Sequence, residues 1–400
     1  MKLHNGNLYW PSTYTYTQTH DKNLPADGHY DVVIVGAGMS GALCAYTLVE
    51  AGMKVAMVDK RTAGAGSSSA NTGLLQYSND IMLHELIGQI GEQKAVRFYK
   101  LCLEAVDLLE KTAESLPVDA HFTRRNSICF ASRSEHAEKL RKEYETLKHH
   151  GFPVDFWSGE ELKNHLPFSK PATLVTKKDA EVNPYRFVTG IIKYLLEHDV
   201  DIYEHTEVLN SEDKKDYVVL TTNRGSLSAG HVIFCTGYEA SGIGKNIGAS
   251  INRSYAIATE PVKDLSSWWE RALIWETNRP YFYLRTTSDN RIVAGGLDED
   301  LPEAPQSQEV IDKHGERISN EIKILFPGIE IDISHAWGAS FGESLDNLPF
   351  IGFAPEKNRT LYLLGYGGNG TVYSMLGSII LKDLIQGNPN TDAEIVKLDR

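Results

Sequence analysis

The chain has 400 residues, 42% apolar and 23% charged, a globular composition too long for one core, so at least two domains are expected. A formal net charge of −13 with no basic stripe argues against nucleic acid or an anionic membrane as partners. The N-terminus has no apolar signal-like run, and the helix near the C-terminus is broken by Lys382 and Asp383 before it could span a bilayer; a cytoplasmic protein without integral membrane association is expected.

Residues 31 to 59, DVVIVGAGMSGALCAYTLVEAGMKVAMVD, read as strand, turn, helix, strand and acid. Gly36 permits a turn too tight for a Cβ, Gly38 lets the backbone approach a pyrophosphate, and Gly41 lets the helix pack closely on the strand. The first-turn N–H groups, from Met39 and Ser40 onward, then face the phosphates. Asp59 closes the second strand about 20 residues further on, where a carboxylate accepts ribose hydroxyls. Dinucleotide binding follows, with NAD and FAD both open. After Asp59 come Lys60, Arg61 and a Gly/Ser run, AGAGSSSANTGLLQ, whose polar residues Ser67, Ser68, Asn71 and Thr72, with Gly73 and Leu74, could wrap the rest of a longer cofactor.

Further along, 84 to 115 keeps helical spacing through Val96, Tyr99, Leu103, Val106 and Leu109, as does Ala137 to Leu147 before Gly151. RRNSICFAS reads as a strand, and Asn183-Pro184 starts a helix through His198. VDIYEHTEVLNSE and DYVVLTTNRGSLSAGHVIFCTG read as strands returning to the cofactor sheet. The second ends in Thr236-Gly237, which resembles a turn that passes near FAD in flavoproteins and so implies Thr236 and Gly237, with Val208, as candidate cofactor contacts. Residues 251 to 299 are strand-rich, and 308 to 325 form an amphipathic helix. The C-terminal part has SLDNLPFIG, the strand LYLLGY, and Gly367-Gly368-Asn369-Gly370-Thr371 opening a second glycine-rich helix through Leu384, with Met375, Leu376, Ile379, Ile380 and Leu384 on its apolar face. In Tyr281-Phe282-Tyr283-Leu284-Arg285, strand alternation puts Tyr281, Tyr283 and Arg285 on one face, where they could hold a carboxylate or amide. Tyr255, Trp337, Asn369 and Gln76 are further substrate-binding candidates. Cys44, Cys102, Cys129 and Cys235 have no CxxC spacing and the histidines are scattered, so reduced thiols and no metal site are expected.

From about residue 28 to about 386, these motifs in this order resemble the flavoprotein family of D-amino-acid oxidase, glycine oxidase, sarcosine oxidase and γ-glutamylputrescine oxidase; HAWGASFGESLDNLPFIG and LYWPSTY are most similar to the γ-glutamylputrescine oxidase branch. The resemblance implies an α/β chain: a Rossmann-like FAD-binding domain of the glutathione-reductase type with an interleaved substrate domain on a mixed or antiparallel sheet. The expected division is 1–27 as an N-terminal extension, 28–84, 166–250 and 335–388 as FAD domain, 85–165 and 251–334 as substrate domain, and 389–400 as tail. It further implies that the Gly/Ser loop runs beside the pyrophosphate, that the second helix start points at the flavin's pyrimidine edge, and that the Tyr281–Arg285 strand roofs the flavin. The implied activity is oxidation of a C–N bond of an amine or amino acid by hydride transfer to flavin N5, giving an imine that hydrolyses, with oxygen or another acceptor taking the electrons. An NAD-dependent dehydrogenase and a flavin-binding protein without turnover are the rival readings.

Departures narrow the resemblance. The stretch that carries a carboxylate-clamping Arg in glycine oxidase and D-amino-acid oxidase is here Ala339-Ser340-Phe341-Gly342, with Phe341 in place of the Arg. No Cys or His stands where relatives link their flavin, so FAD is expected to be noncovalent. Val293 occupies the position of a Lys that favours oxygen reduction in monomeric sarcosine oxidase, so slow oxygen use is expected. No residue is assigned as catalytic acid or base.

Overall fold

A computed structural model of the protein describes residues 2–17, 22–25, 28–239, 249–365 and 367–400. Tyr366, the last residue of the expected LYLLGY strand, and residues 240–248 lie outside them. The near-continuous apolar run DVVIV predicts a strand buried on both faces. It forms His29–Val35, central in a sheet of order Phe350–Phe353, Thr360–Leu364, Gly225–Phe234, His29–Val35, Val55–Val58, Asp201–Tyr203. All neighbouring pairs in this order are parallel except the first. Period-two alternation splits its side chains between two cores. Val32, Ile34, Val55, Met57 and Ile233 pack beneath helices Met39–Glu50, Pro184–Glu197 and Gly370–Ile385. Val33, Val35, Ala56, Val58 and Val232 pack with Val218 and Leu220 on the other face. That second face is covered by an antiparallel ribbon, Val208–Asp213 and Val218–Thr222, not by helices.

A larger sheet runs in the order His4–Gly6, Ile333–Ser344, Ala249–Thr259, Ile292–Glu299, Phe282–Thr286, Leu273–Glu276, Thr123–Phe130, Ala172–Glu181, Leu74–Leu75, with Val154–Ser158 also on Ala172–Glu181. It is mixed: Leu273–Glu276 lies parallel to Thr123–Phe130, and the other pairs are antiparallel. One face carries helix Gln308–Leu325 over Ile257, Ile292 and Ala294. Strands Ala172–Glu181 and Ile333–Ser344 pair into this sheet, so the expected boundaries at residues 166 and 335 do not coincide with its edges. The hydrogen-bond ladder, which local patterning does not specify, decides membership.

The helix expected over 84–115 is two, Leu83–Ile90 and Glu92–Ser115. Gly91 between them has φ of 86°, which ends one α-ladder and starts another. The expected helices beginning near Ala137, Pro184, Gln308 and Gly370 are present, the second capped by the Asn183 side chain accepting from the Arg186 N–H. No helix among the described residues is long and apolar enough to cross a membrane.

Candidate functional site

A cavity of about 810 Å³ lies between the two sheets, lined by residues from Leu3 to Ser374. Its floor is the first turn. Gly36, at φ of 112°, would put a Cβ 2.4 Å from the Cys235 carbonyl oxygen, and a Cβ on Gly41 would stand 1.8 Å from the Gly36 oxygen. Strand, turn and helix therefore close only with glycine at both places. Over Gly38 the side is open apart from Ser68 Oγ, 3.0 Å from a would-be Cβ. Backbone can approach a ligand there.

Neither helix Met39–Glu50 nor Gly370–Ile385 is capped by the side chain of its own N-cap residue, and Ser68 Oγ accepts from the Met39 N–H at 2.8 Å. Both N-termini face the same cavity, so two sets of first-turn amides and two positive dipole ends converge on it. The helices are tied side by side by Ser40–Ser374 and Thr47–Ser378 hydroxyl pairs at 2.8 and 2.9 Å. Asp59 sits at one end. Its oxygens accept from the N–H of Ala37 and of Arg61, each at 2.7 Å, while burial pushes its pKa up against those bonds. A carboxylate has about four acceptor sites, so two remain for ribose hydroxyls. Volume, glycine-lined floor and paired helix starts fit an extended dinucleotide such as FAD.

Of the expected cofactor residues, Gly36, Gly38, Met39, Ser40, Asp59, Lys60, Arg61, Ser67, Ser68, Asn71, Thr72, Leu74, Val208, Thr236, Gly237, Gly368, Asn369, Gly370 and Thr371 line the cavity. Gly41 and Gly73 do not. Gly41 works from beneath, as helix packing, and Gly73, at φ of 77°, would put a Cβ 2.2 Å from the Val182 oxygen, so it serves close packing against the larger sheet. Lys60 and Arg61 both pair with Glu239, at 3.1 and 2.7 Å. Although burial disfavours its charge, hydrogen bonds from Arg61 and Lys60 hold the Glu239 carboxyl down at about 2.

The substrate candidates divide. Tyr281 and Tyr283 line the cavity with ring centroids 5.7 Å apart, both phenols raised by burial. Gln76 also lines it while donating to Ser127 Oγ at 2.8 Å. Arg285 is corrected: it is 2% exposed, donates to the carbonyls of Thr72, Val182 and Thr286, lies 3.5 Å from Glu181, and does not line the cavity. Alternation gives it the expected face, but the strand carries it past the cavity and under the Gly/Ser loop. Tyr255 lines the cavity as well, while its ring stacks on His314 at 3.7 Å and its hydroxyl donates to Glu299. Trp337 borders the cavity with Nε1 committed to the Ala70 carbonyl, and Asn369 Nδ2 is committed to Gln76 O, Ser78 O and Asn79 Oδ1. Both hold loops and leave no side-chain donor for substrate.

Sequence reasoning missed Asp80, Ser254, Trp275 and Asp298, which also line the cavity. No motif marks them. Asp298 follows a bulge: Arg253 pairs with Glu299 and Tyr255 with Gly296, so strand Ile292–Glu299 has one residue extra. Without that insertion Asp298 would fall on the face of Ala294 and Ile292, in the core. Its positive-φ residues, Gly296 at 120° and Leu297 at 56°, carry the kink. Away from the cavity, the scattered His149 and His150 meet Glu92 at helix ends, their ligand-type atoms within 4.8 Å, largely exposed.

The profile of the family described as "DAO: FAD dependent oxidoreductase" matches residues 31–384. Glycine oxidase of Geobacillus kaustophilus (strain HTA426) is 25% identical over 381 residues, 89% of this chain and 93% of that protein. Gamma-glutamylputrescine oxidoreductase of Escherichia coli (strain K12) is 22% identical over 372 residues, 90% of this chain and 84% of that protein. The crystal structure of glycine oxidase from Geobacillus kaustophilus superposes with a TM-score of 0.80 at 21% identity, covering 93% of this chain and 99% of that one.

Proposed function

The chain belongs to the DAO family of FAD-dependent oxidoreductases, and on that premise we propose that it oxidises a C–N bond of a small amine or amino acid, leaving an imine that hydrolyses. The observation that carries this is the continuity of one cavity, from the Asp59 end past both helix N-termini to a tyrosine-walled end at Tyr281 and Tyr283. Asp59, the Gly36–Gly41 turn, the Gly/Ser loop and the Gly368–Thr371 helix start hold the FAD. Bound there, FAD supplies the acceptor for the hydride that leaves the substrate's α-carbon. The protein's part is to position and to exclude water. Tyr281 and Tyr283 present ring faces and hydroxyls to the substrate, Phe341 and Trp275 add apolar wall, and the uncapped Gly370–Ile385 helix start favours negative charge that develops beside it.

The test is a visible spectrum of the purified protein followed by anaerobic addition of amines and of D- and L-amino acids. Bleaching of the flavin band by at least one class supports the reading; a colourless protein that binds NAD, or a flavin that none of them reduces, opposes it. For the electron acceptor, Val293 packs with Trp10, Ala256 and Trp337 and brings no cation to the cavity. Slow oxygen use is expected, with another acceptor preferred. Stopped-flow mixing of substrate-reduced enzyme with oxygenated buffer checks it: reoxidation faster than turnover makes oxygen the acceptor. A cytoplasmic location is supported by four buried, unpaired thiols, which suit a reducing compartment.

A further inference from the structure

Beyond the Gly368–Thr371 helix start, the cavity wall is acidic. Asp80 Oδ2 accepts from the Gly368 N–H at 2.8 Å, and a Cβ on Gly368 would lie 2.9 Å from that oxygen and 3.3 Å from the Tyr281 hydroxyl. Carboxylate and phenol thus flank one glycine. Asp298 lines the same end, aimed there by the bulge, and its Oδ1 atom is fully buried with no hydrogen-bond partner. A buried, unsatisfied carboxylate oxygen is costly unless a donor meets it. Burial first, with Asp80 nearby, pushes the Asp298 carboxyl up to about 6 against the Ser254 hydrogen bond and Arg279. Glu343, behind them, is raised by burial and by the same two aspartates.

Counter-charge is scarce. Lys60 and Arg61 are the basic residues lining the cavity among the described residues, and both are engaged with Glu239 at the Asp59 end. Arg279 stands over the Tyr281 ring at 4.7 Å and donates to the carbonyls of Asp80 and Asn278, outside the lining. Three carboxyls against one guanidinium leave this end negative. It suits a cation and repels a carboxylate.

We propose that Asp298, with Asp80, makes the active-site cavity selective for a substrate bearing an ammonium group in addition to the amine that is oxidised, such as a short α,ω-diamine or an amino-alkyl derivative. This rests on the amine-oxidising reading above and specifies its substrate class. The distal ammonium donates to Asp298 Oδ1. The reacting amine then lies against Tyr281 and Tyr283.

The test uses the FAD-loaded protein and two non-oxidisable probes of equal chain length, an alkylguanidinium and an alkylcarboxylate, titrated by the flavin difference spectrum. The guanidinium should bind and the carboxylate should not. Asp298→Asn, nearly isosteric, should weaken the guanidinium roughly ten- to a hundredfold, the equivalent of one lost charge-assisted hydrogen bond. Its flavin spectrum and melting temperature report whether it has folded, and Asp80→Asn gives a second, independent variant. Tighter binding of the carboxylate, or guanidinium affinity unchanged in both variants, overturns the proposal. Anaerobic reduction by monoamines, diamines and amino acids is run in parallel: if none reduces the flavin while the guanidinium still binds through Asp298, the cation selectivity stands and the amine-oxidising reading falls.

Discussion

Asp59 and Arg285 show what a single charged side chain does in this molecule. Asp59 is held by two backbone N–H groups, so its orientation is fixed before a ribose arrives. Losing its hydrogen bonds to two hydroxyls should lower FAD affinity by about 2 to 4 kcal/mol, and Asp59→Ala should purify largely as apoprotein. Full FAD occupancy with unchanged affinity, measured by fluorescence titration, would show the carboxylate to be part of the turn alone. Arg285 acts from below: its guanidinium joins Thr72 on the Gly/Ser loop to Val182 and Glu181 on the larger sheet. Arg285→Ala should destabilise the protein by about 3 kcal/mol, because a buried ionic partner is left short of donors, and should loosen FAD through the loop. Denaturant unfolding reads the first effect. A flavin that stays tightly bound in a destabilised variant would separate the loop from the cofactor. Asp59 was legible in the sequence because a strand end, a turn and a spacing announce it. Arg285 was placed on the correct face but given the wrong neighbour, since alternation fixes which face a side chain takes and not what lies opposite. Asp298 was invisible: a bulge reverses the alternation that would have assigned it to the core.

Among the elements, the first turn and its helix show how local chemistry sets geometry. Gly41 stands so near the Gly36 carbonyl that an alanine there has nowhere to put its methyl without opening the turn. Gly41→Ala should therefore displace the helix start from the pyrophosphate site and abolish FAD retention while leaving most helix content intact. Far-UV circular dichroism with a flavin absorbance spectrum checks both halves, and an FAD-replete Gly41→Ala protein would refute the packing argument. Strand–turn–helix units of this kind were legible because they are built from neighbours in sequence. The covering ribbon over the second face, and the capture of Ala172–Glu181 and Ile333–Ser344 by the larger sheet, were not. The ribbon's strands pair with near neighbours, and the face it covers is set by packing against the distant strands of the sheet. Ala172–Glu181 and Ile333–Ser344 join Thr123–Phe130 and Ala249–Thr259, scores of residues away, and pairing over that distance is chosen by the complementarity of whole strands.

At the scale of the whole molecule, the cavity belongs to neither sheet alone: Asp59 and Val35 come from one, Tyr283 and Trp337 from the other. A ligand that touches both stabilises their docking as well as itself. FAD should raise the stability of the apoprotein by about 2.7 kcal/mol when present at a hundred times its dissociation constant. The melting temperature should climb with each increment of FAD, and acid precipitation should release the flavin intact into the supernatant. A melting point insensitive to FAD, or flavin that precipitates with the chain, would contradict noncovalent bridging.

The pairing of helix Met39–Glu50 with helix Gly370–Ile385 bears on how the protein is made. Ser40 and Thr47 find their hydroxyl partners at Ser374 and Ser378, more than three hundred residues downstream. During vectorial synthesis the helix Met39–Glu50 emerges from the ribosome with the flank meant for Gly370–Ile385 bare, and it waits until that segment has been translated. The nucleotide turn is thus written early and completed more than three hundred residues later, so cofactor capture waits for the second helix, and a premature stop before residue 370 should yield a product that solicits chaperones and carries no yellow colour.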